Sequence, residues 1–166
     1  INVNIQDIAH HSLLSQLEYY EAEHGCVIVM EVATGEIKAV SNLGRTSRGT
    51  YYEKLNYAVG ESHEPGSTFK VASLMAALED KVIDTSSVID TKRGVKNFYG
   101  RKIYDSHRGG YGEISVARAL EVSSNIGFAT FIDEGYKENP KMFIDRLESF
   151  NLKDSIGISI KGEGKP

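Results

Sequence analysis

Hydrophobic positions fall into short clusters separated by polar and glycine-rich stretches, and the spacing within each cluster predicts its element. Leu13, Leu14 and Leu17 share one helical stripe, so residues 7–24 are expected to form a helix with Asp7 as N-cap and Gly25 as stop. Cys26 to Val32 is a nearly unbroken apolar run rich in β-branched residues, which reads as a strand covered on both faces. Ala33-Thr34-Gly35 forms a turn, and Glu36 to Val40 returns as the second strand of a hairpin. Residues 41–66 are polar and rich in Gly and Tyr, the pattern of a loop. Pro65-Gly66 then punctuates the chain, and Val71, Leu74, Met75 and Leu78 recur at helical spacing up to Glu79. Residues 81–112 hold Gly94, Gly100, Gly109, Gly110 and Gly112 with little periodicity, so loops with short strands are expected. Ser115 caps a short helix carrying Val116, Ala119 and Leu120. The polar stretch Val122-Ser123-Ser124-Asn125 interrupts it, and Ile126 to Glu134 resumes the helical pattern. Pro140 opens a last helix with Phe143, Leu147 and Phe150 inward.

These elements make an α+β chain. A helix and antiparallel hairpin occupy residues 1–45, a helix 60–80, a mostly helical subdomain 81–156, and the start of a further segment 157–166. The 166 residues are 40% hydrophobic and 25% charged, enough for a packed core. Nineteen Lys and Arg against 23 Asp and Glu leave a net charge of −4, the wrong sign for a nucleic-acid binder. The single cysteine, Cys26, excludes an internal disulfide framework and a Cys-rich zinc cluster, and its place in an apolar strand suggests an inert small hydrophobe. His10, His11, His24, His63 and His107 show no metal-ligand spacing, and no phosphate-cradling glycine loop occurs. No apolar run approaches the roughly 20 residues that span a bilayer. The chain opens at Ile1 without a signal peptide and closes on the Gly-rich run 161–166, both expected to be cuts within a larger domain.

Chemistry concentrates in Ser67 and Lys70. On an ideal helix advancing about 100° per residue, Lys70, Val71, Leu74 and Leu78 all fall within about 60° of Ser67. A lysine in an apolar stripe is partly desolvated, which lowers its pKa toward use as a base. Three-residue spacing sets its nitrogen beside the Ser67 hydroxyl, at a helix N-terminus whose free N–H groups favour an oxyanion. Nucleophile, base and field thus share four residues. With 16 Ser and 12 Lys in the chain, chance alone supplies about one Ser-x-x-Lys pair, so a plain N-cap beside a snorkelling lysine fits the pair equally well.

The surrounding residues decide between these readings. Glu64-Pro65-Gly66-Ser67-Thr68-Phe69-Lys70 resembles the active-site signature of class B penicillin-binding proteins, the peptidoglycan D,D-transpeptidases of division and elongation type. The hairpin over 25–41, with Thr34-Gly35-Glu36 at its turn, and Asn56-Tyr57-Ala58-Val59 before the signature are similar to the family as well. So is the run from Gly157 to Pro166. The superfamily's second element, Ser-x-Asn, has two candidates. Ser149-Phe150-Asn151 ends an amphipathic helix and reads as packing plus a helix stop. Ser123-Ser124-Asn125, beginning 56 residues after Ser67, resembles the motif itself. Its local alternative is a helix–helix turn satisfying its own backbone. The third element, Lys-Thr-Gly or Lys-Ser-Gly, does not occur; Lys92-Arg93-Gly94 and Lys161-Gly162 lack the hydroxyl residue. Glu53-Lys54-Leu55-Asn56 looks like the water-positioning loop of class A β-lactamases but precedes the nucleophile, and is read as coincidence.

The resemblance implies the N-terminal part of a β-lactamase-like transpeptidase domain, with the remaining sheet strands absent and half a cleft, inactive alone. It implies that Ser67, deprotonated by Lys70, attacks the carbonyl between two terminal D-alanines of a stem peptide. Ser123 would relay a proton, and Asn125 would bind the substrate amide and help fix Lys70. The oxyanion hole would use the Ser67 N–H and a donor from the absent strand. β-Lactams would acylate Ser67, and no cofactor or metal is implied. Partners would be peptidoglycan stem peptides and other cell-wall synthesis or division proteins. The domain would lie outside the cytoplasmic membrane, on an anchor upstream of Ile1. A serine β-lactamase or β-lactam sensor shares the Ser-x-x-Lys chemistry, and a non-catalytic division scaffold shares the fold; both stay open on sequence alone.

Overall fold

The structure, a computed structural model, describes residues 1–157 and 162–164. Of the run 157–166 expected to start a further segment, residues 158–161, 165 and 166 lie outside the described residues. The chain divides into two compact units, one of residues 1–63 with residues from 155 onward, the other Glu64–Asp154.

The first unit is a helix on a three-stranded antiparallel sheet. Helix α1, Val3–Tyr20, begins four residues before the expected Asp7, because Asn2 is the cap: its Oδ1 accepts from the N–H groups of Asn4 and Ile5 at 3.1 and 3.2 Å. It ends at Glu21 in the left-handed region, φ 50°, short of Gly25. There the Tyr51 hydroxyl lies 2.8 and 2.7 Å from the Leu17 and Ala22 carbonyls and can give its one hydrogen to either, tying the end of the helix to the chain around Tyr51. Strands β1 (His24–Met30), β2 (Ile37–Arg45) and β3 (Tyr51–Tyr52) pair in that order, with Cys26 opposite Asn42 and Ile28 opposite Val40.

Two expectations change here. Strand β1 is not covered on both faces. Gly25 meets Leu13 and Leu17 of α1, Val27 and Val29 are half-buried, and Cys26, Ile28 and Met30 on the other face are exposed. A helix packed on one side of an edge strand imposes this period-two burial, so the apolar run signalled β-propensity and not double cover. Cys26 is therefore an exposed free thiol. Partial burial, then the nearby Glu61 charge, push its pKa up.

Likewise the polar stretch after Val40, though mostly loop, is not loop throughout. Strand β2 continues to Arg45, with Ser41, Asn42 and Leu43 buried. Its polar side chains have internal partners: His10 Nδ1 lies 3.2 Å from Ser41 Oγ, and the Ala58 N–H of helix α2 (Tyr57–Gly60) donates to Asn42 Oδ1 at 3.0 Å. The Gln6 amide both donates to and accepts from the Val40 backbone, at 2.8 and 2.9 Å, which binds α1 to the free edge of β2 as another strand would. The fold also brings together two histidines that read as isolated along the chain. His24 Nε2 and His63 Nε2 lie 2.8 and 3.0 Å from one oxygen of Glu61.

In the second unit a 3-10 turn, Gly66–Thr68, leads into α3, Phe69–Glu79. Two short antiparallel pairs follow, β4 (Val88–Asp90) with β7 (Glu113–Ser115) and β5 (Val95–Phe98) with β6 (Arg101–Tyr104). Helices α4 (Val116–Glu121), α5 (Asn125–Tyr136) and α6 (Pro140–Ser149) complete it. Ser115 caps α4 as the sequence suggests, accepting from the Arg118 N–H at 3.1 Å. The core joins Ala77, Ile89, Val116, Ala119, Phe128, Phe131 and Tyr136, with Leu74 and Phe143 packed against it.

The buried face of α3 differs from the expected stripe. Val71 and Met75 are exposed, while Ser73, Ala76 and Ala77 are buried and Lys70 is half-buried. Small side chains let α5 and α6 approach α3 closely, and a stripe drawn through the largest apolar residues misses this. The same correction turns Lys70 toward the middle of the buried face.

Candidate active site

Gly66, at φ 57°, takes the left-handed turn that starts the 3-10 segment, a conformation glycine adopts without a Cβ penalty. Ser67 is exposed on that turn, and Lys70 projects from the first turn of α3 toward the α4–α5 junction. The junction is built by its serines. Ser123 takes φ 53°, and its N–H and that of Ser124 return to the Leu120 and Ala119 carbonyls at 3.0 and 2.8 Å, closing α4. Ser124, fully buried, caps α5: its Oγ accepts from the Gly127 N–H at 2.9 Å and donates to the Asp105 carboxylate at 3.0 Å. Asp105 accepts again from the Ile126 N–H at 3.0 Å, so one buried carboxylate holds both the cap serine and the first turn of α5.

This scaffold sets four oxygens around the Lys70 nitrogen. Nζ donates to the Ser123 carbonyl at 2.7 Å, Asn125 Oδ1 at 2.7 Å, Ser123 Oγ at 2.9 Å and Ser67 Oγ at 3.3 Å. The Asn125 amide is fixed in this sense because its Nδ2 donates to the Tyr104 carbonyl at 2.9 Å. Phe128 closes another side, its ring centroid 5.7 Å from the nitrogen. Burial lowers the Lys70 pKa, and the Asp105 charge partly opposes the drop.

Counting hydrogens shows what this arrangement can do. The Ser123 carbonyl and Asn125 Oδ1 can only accept, so they use two N–H groups. The third tetrahedral position of the nitrogen faces two hydroxyls. A neutral amine has a lone pair there, able to take a proton from either hydroxyl; an ammonium has an N–H there, able to return it. The four residues singled out in the sequence are thus brought together in one cluster. The rival trio separates from it in role: Ser149 Oγ donates to the Arg146 carbonyl of its own helix, and Asn151 turns out of that helix at φ 59°.

A family model of the penicillin binding protein transpeptidase domain matches residues 25–165. The chain belongs to that family. Among curated relatives, this chain is 27% identical to the peptidoglycan D,D-transpeptidase FtsI of Escherichia coli, over 98% of its length and 27% of the relative's. It is 25% identical to stage V sporulation protein D of Bacillus subtilis, over 99% of its length and 26% of that protein's. The chain therefore spans about a quarter of these relatives. Among solved structures, a peptidoglycan glycosyltransferase of Burkholderia ambifaria superposes with a TM-score of 0.82 at 26% identity, covering 99% of this chain and 48% of that one. The transpeptidase domain of Burkholderia pseudomallei penicillin-binding protein 3 superposes with a TM-score of 0.83 at 24% identity, over 99% of this chain and 45% of that one, which supports the fold.

Asp105 and the cap role of Ser124 had no signal in the sequence. Asp105 sits in a glycine-rich stretch without periodicity, and only the β6 hairpin carries it under the turn. Ser124 is the middle residue of a motif whose outer residues drew the attention.

Proposed function

We propose that this chain supplies the nucleophile, its base and the amide-binding residue of a peptidoglycan D,D-transpeptidase, and that the whole protein cross-links stem peptides ending in D-Ala-D-Ala. Lys70 takes the Ser67 proton as Oγ attacks the carbonyl between the two D-alanines. Ser123 passes that proton to the departing D-Ala amine, leaving an ester on Ser67. An amine of a neighbouring stem peptide then displaces Ser67, which recovers its proton. Asn125 presents its amide to the substrate backbone and holds Lys70 between the two hydroxyls. β-Lactams acylate the same serine.

The observation that supports this reading is the convergence of the Lys70 nitrogen on Ser67, Ser123 and Asn125 within 3.3 Å. On this reading the work is done on the outer side of the cytoplasmic membrane. Among the described residues no helix is long and apolar enough to cross one. Penicillin exposure of the full-length protein followed by peptide mass spectrometry tests the proposal. The expected adduct is a persistent one on Ser67, absent from Ser67→Ala. Labelling that survives Ser67→Ala defeats the assignment, and turnover of the adduct within seconds favours a β-lactamase.

A further inference from the structure

Three donor atoms of the first unit converge at a place the transpeptidase chemistry does not use. His24 opens β1, Glu61 follows the last turn of α2, and His63 lies two residues further on. Their ligand atoms all fall within 4.8 Å of one another. Both imidazole Nε2 atoms approach the same carboxylate oxygen, at 2.8 and 3.0 Å, yet that oxygen, though buried, receives no hydrogen bond of acceptable geometry from either ring. Distances of hydrogen-bond length without hydrogen-bond direction describe donors arranged around a common centre instead of paired with one another.

The ring positions are fixed from outside. His24 stacks on Tyr57 with centroids 4.3 Å apart and planes within 18°, and the His63 ring lies beyond it, 6.2 Å from His24. His24 and Glu61 are about one-third exposed and His63 more than half, so one side of the cluster opens to water.

We infer that His24, Glu61 and His63 form a binding site for a divalent transition metal, best suited to Zn2+, with water in the fourth position. Two imidazoles and a carboxylate are a borderline-soft set that suits zinc and leaves calcium and magnesium, which prefer all-oxygen shells, poorly served. Tetrahedral zinc with bonds of about 2.0–2.1 Å holds neighbouring donors about 3.3 Å apart; the two imidazole–carboxylate pairs, at 2.8 and 3.0 Å, lie within about half an ångström of that spacing, and all three ligand atoms fall within 4.8 Å of one another. The ion ties the start of β1 to the segment after α2, closing a loop of nearly forty residues that β1–β2 and β2–β3 pairing, the Asn42–Ala58 bond and the His24–Tyr57 stack also hold. Its role is to fix that segment, whose continuation in sequence is the Ser67 turn.

The probes are Zn2+ and Co2+ added to the untagged, metal-stripped protein. Calorimetry at about pH 7.5 is expected to give one Zn2+ per chain with micromolar or tighter affinity, and Co2+ to give the visible ligand-field bands of a tetrahedral site. Zinc should raise the thermal midpoint of the wild type. His24→Ala and His63→Ala, each checked for folding by circular dichroism, should weaken binding at least about tenfold. Glu61→Gln keeps the shape of the side chain and should weaken it as well. Absence of stoichiometric binding to the wild type, or wild-type affinity retained in His24→Ala and Glu61→Gln, overturns the inference.

Discussion

In the proposed reaction Lys70 acts as the base because its surroundings are unequal. Two of its acceptors can never give up a proton, and the two that can are the hydroxyls of Ser67 and Ser123. Acylation should therefore rise with pH along a limb whose midpoint lies below the value for a free lysine, since burial disfavours the ammonium and the amine must be neutral to act. The pH dependence of β-lactam acylation checks this; a midpoint at or above the free-lysine value of about 10.4 contradicts it. Asp105 provides a second test, through position and not through contact with substrate. In Asp105→Asn the Ser124 and Ile126 bonds to the carboxylate weaken, and acylation should fall about 10- to 100-fold. The negative charge that supports the Lys70 ammonium also disappears, so the acylation midpoint should move to lower pH. A purely structural loss would slow acylation and leave the midpoint where it was. Ser67 and Lys70 were legible as residues because a short motif places both on one turn. Asp105 was not, because its partners lie 19 and 21 residues away and no local pattern marks it.

Elements were legible where a local signal was redundant and misplaced where it was single. Ser115 as the α4 cap, the break at 122–125 and the start of α6 at Pro140 each combine a capping or breaking residue with a change of period, and each stands. The first helix rested on one candidate cap, and Asn2, five residues earlier, won because both Asn4 and Ile5 donate to it. The burial of β1 was inferred from composition alone, which cannot say how many layers cover a strand. On α3 the large residues Val71 and Met75 were assigned inward, whereas Ala76 and Ala77 face the core. That correction has a measurable consequence. Ala77→Leu should overpack the contact with α5 and α6 and destabilise the protein by about 1–3 kcal/mol, read as a lower urea midpoint. It should also slow acylation by displacing Lys70 from Asn125, since both side chains hang from the helices being forced apart. An Ala77→Leu protein as stable as the wild type would return the inward face to Val71.

At the scale of the molecule, the α+β class and the family's fold were readable because the signature, the hairpin and the Ser-Ser-Asn turn are each local. The contacts that close the second unit were not, because they join residues far apart in sequence. The clearest is at the end of α3. Asp80, its side chain 6% exposed, accepts from Arg146 Nε of α6 at 2.7 Å and from the Tyr136 hydroxyl of α5 at 2.9 Å, so one carboxylate gathers the ends of three helices. The Arg146 guanidinium, first of all, holds the Asp80 carboxyl below its ordinary range, and burial of the phenol and its bond to Asp80 push the Tyr136 pKa upward. A folded-state pKa below the unfolded value of about 3.9 contributes stability that is complete above that value and lost as pH falls through the folded one. In Arg146→Met the aliphatic part of the side chain remains but Asp80 keeps only Tyr136, and at neutral pH the protein should be less stable, read as a lower urea midpoint. The wild type and the variant should then keep a constant difference from pH 7 to about 4 and converge only as the pH falls below about 4, because protonating Asp80 removes the charge whose pairing distinguishes them. Urea midpoints for both proteins across that interval decide it: a difference that persists undiminished in acid would mean that Arg146 acts through packing alone, and that the three helix ends are held by the apolar contacts of Tyr136 and Phe143.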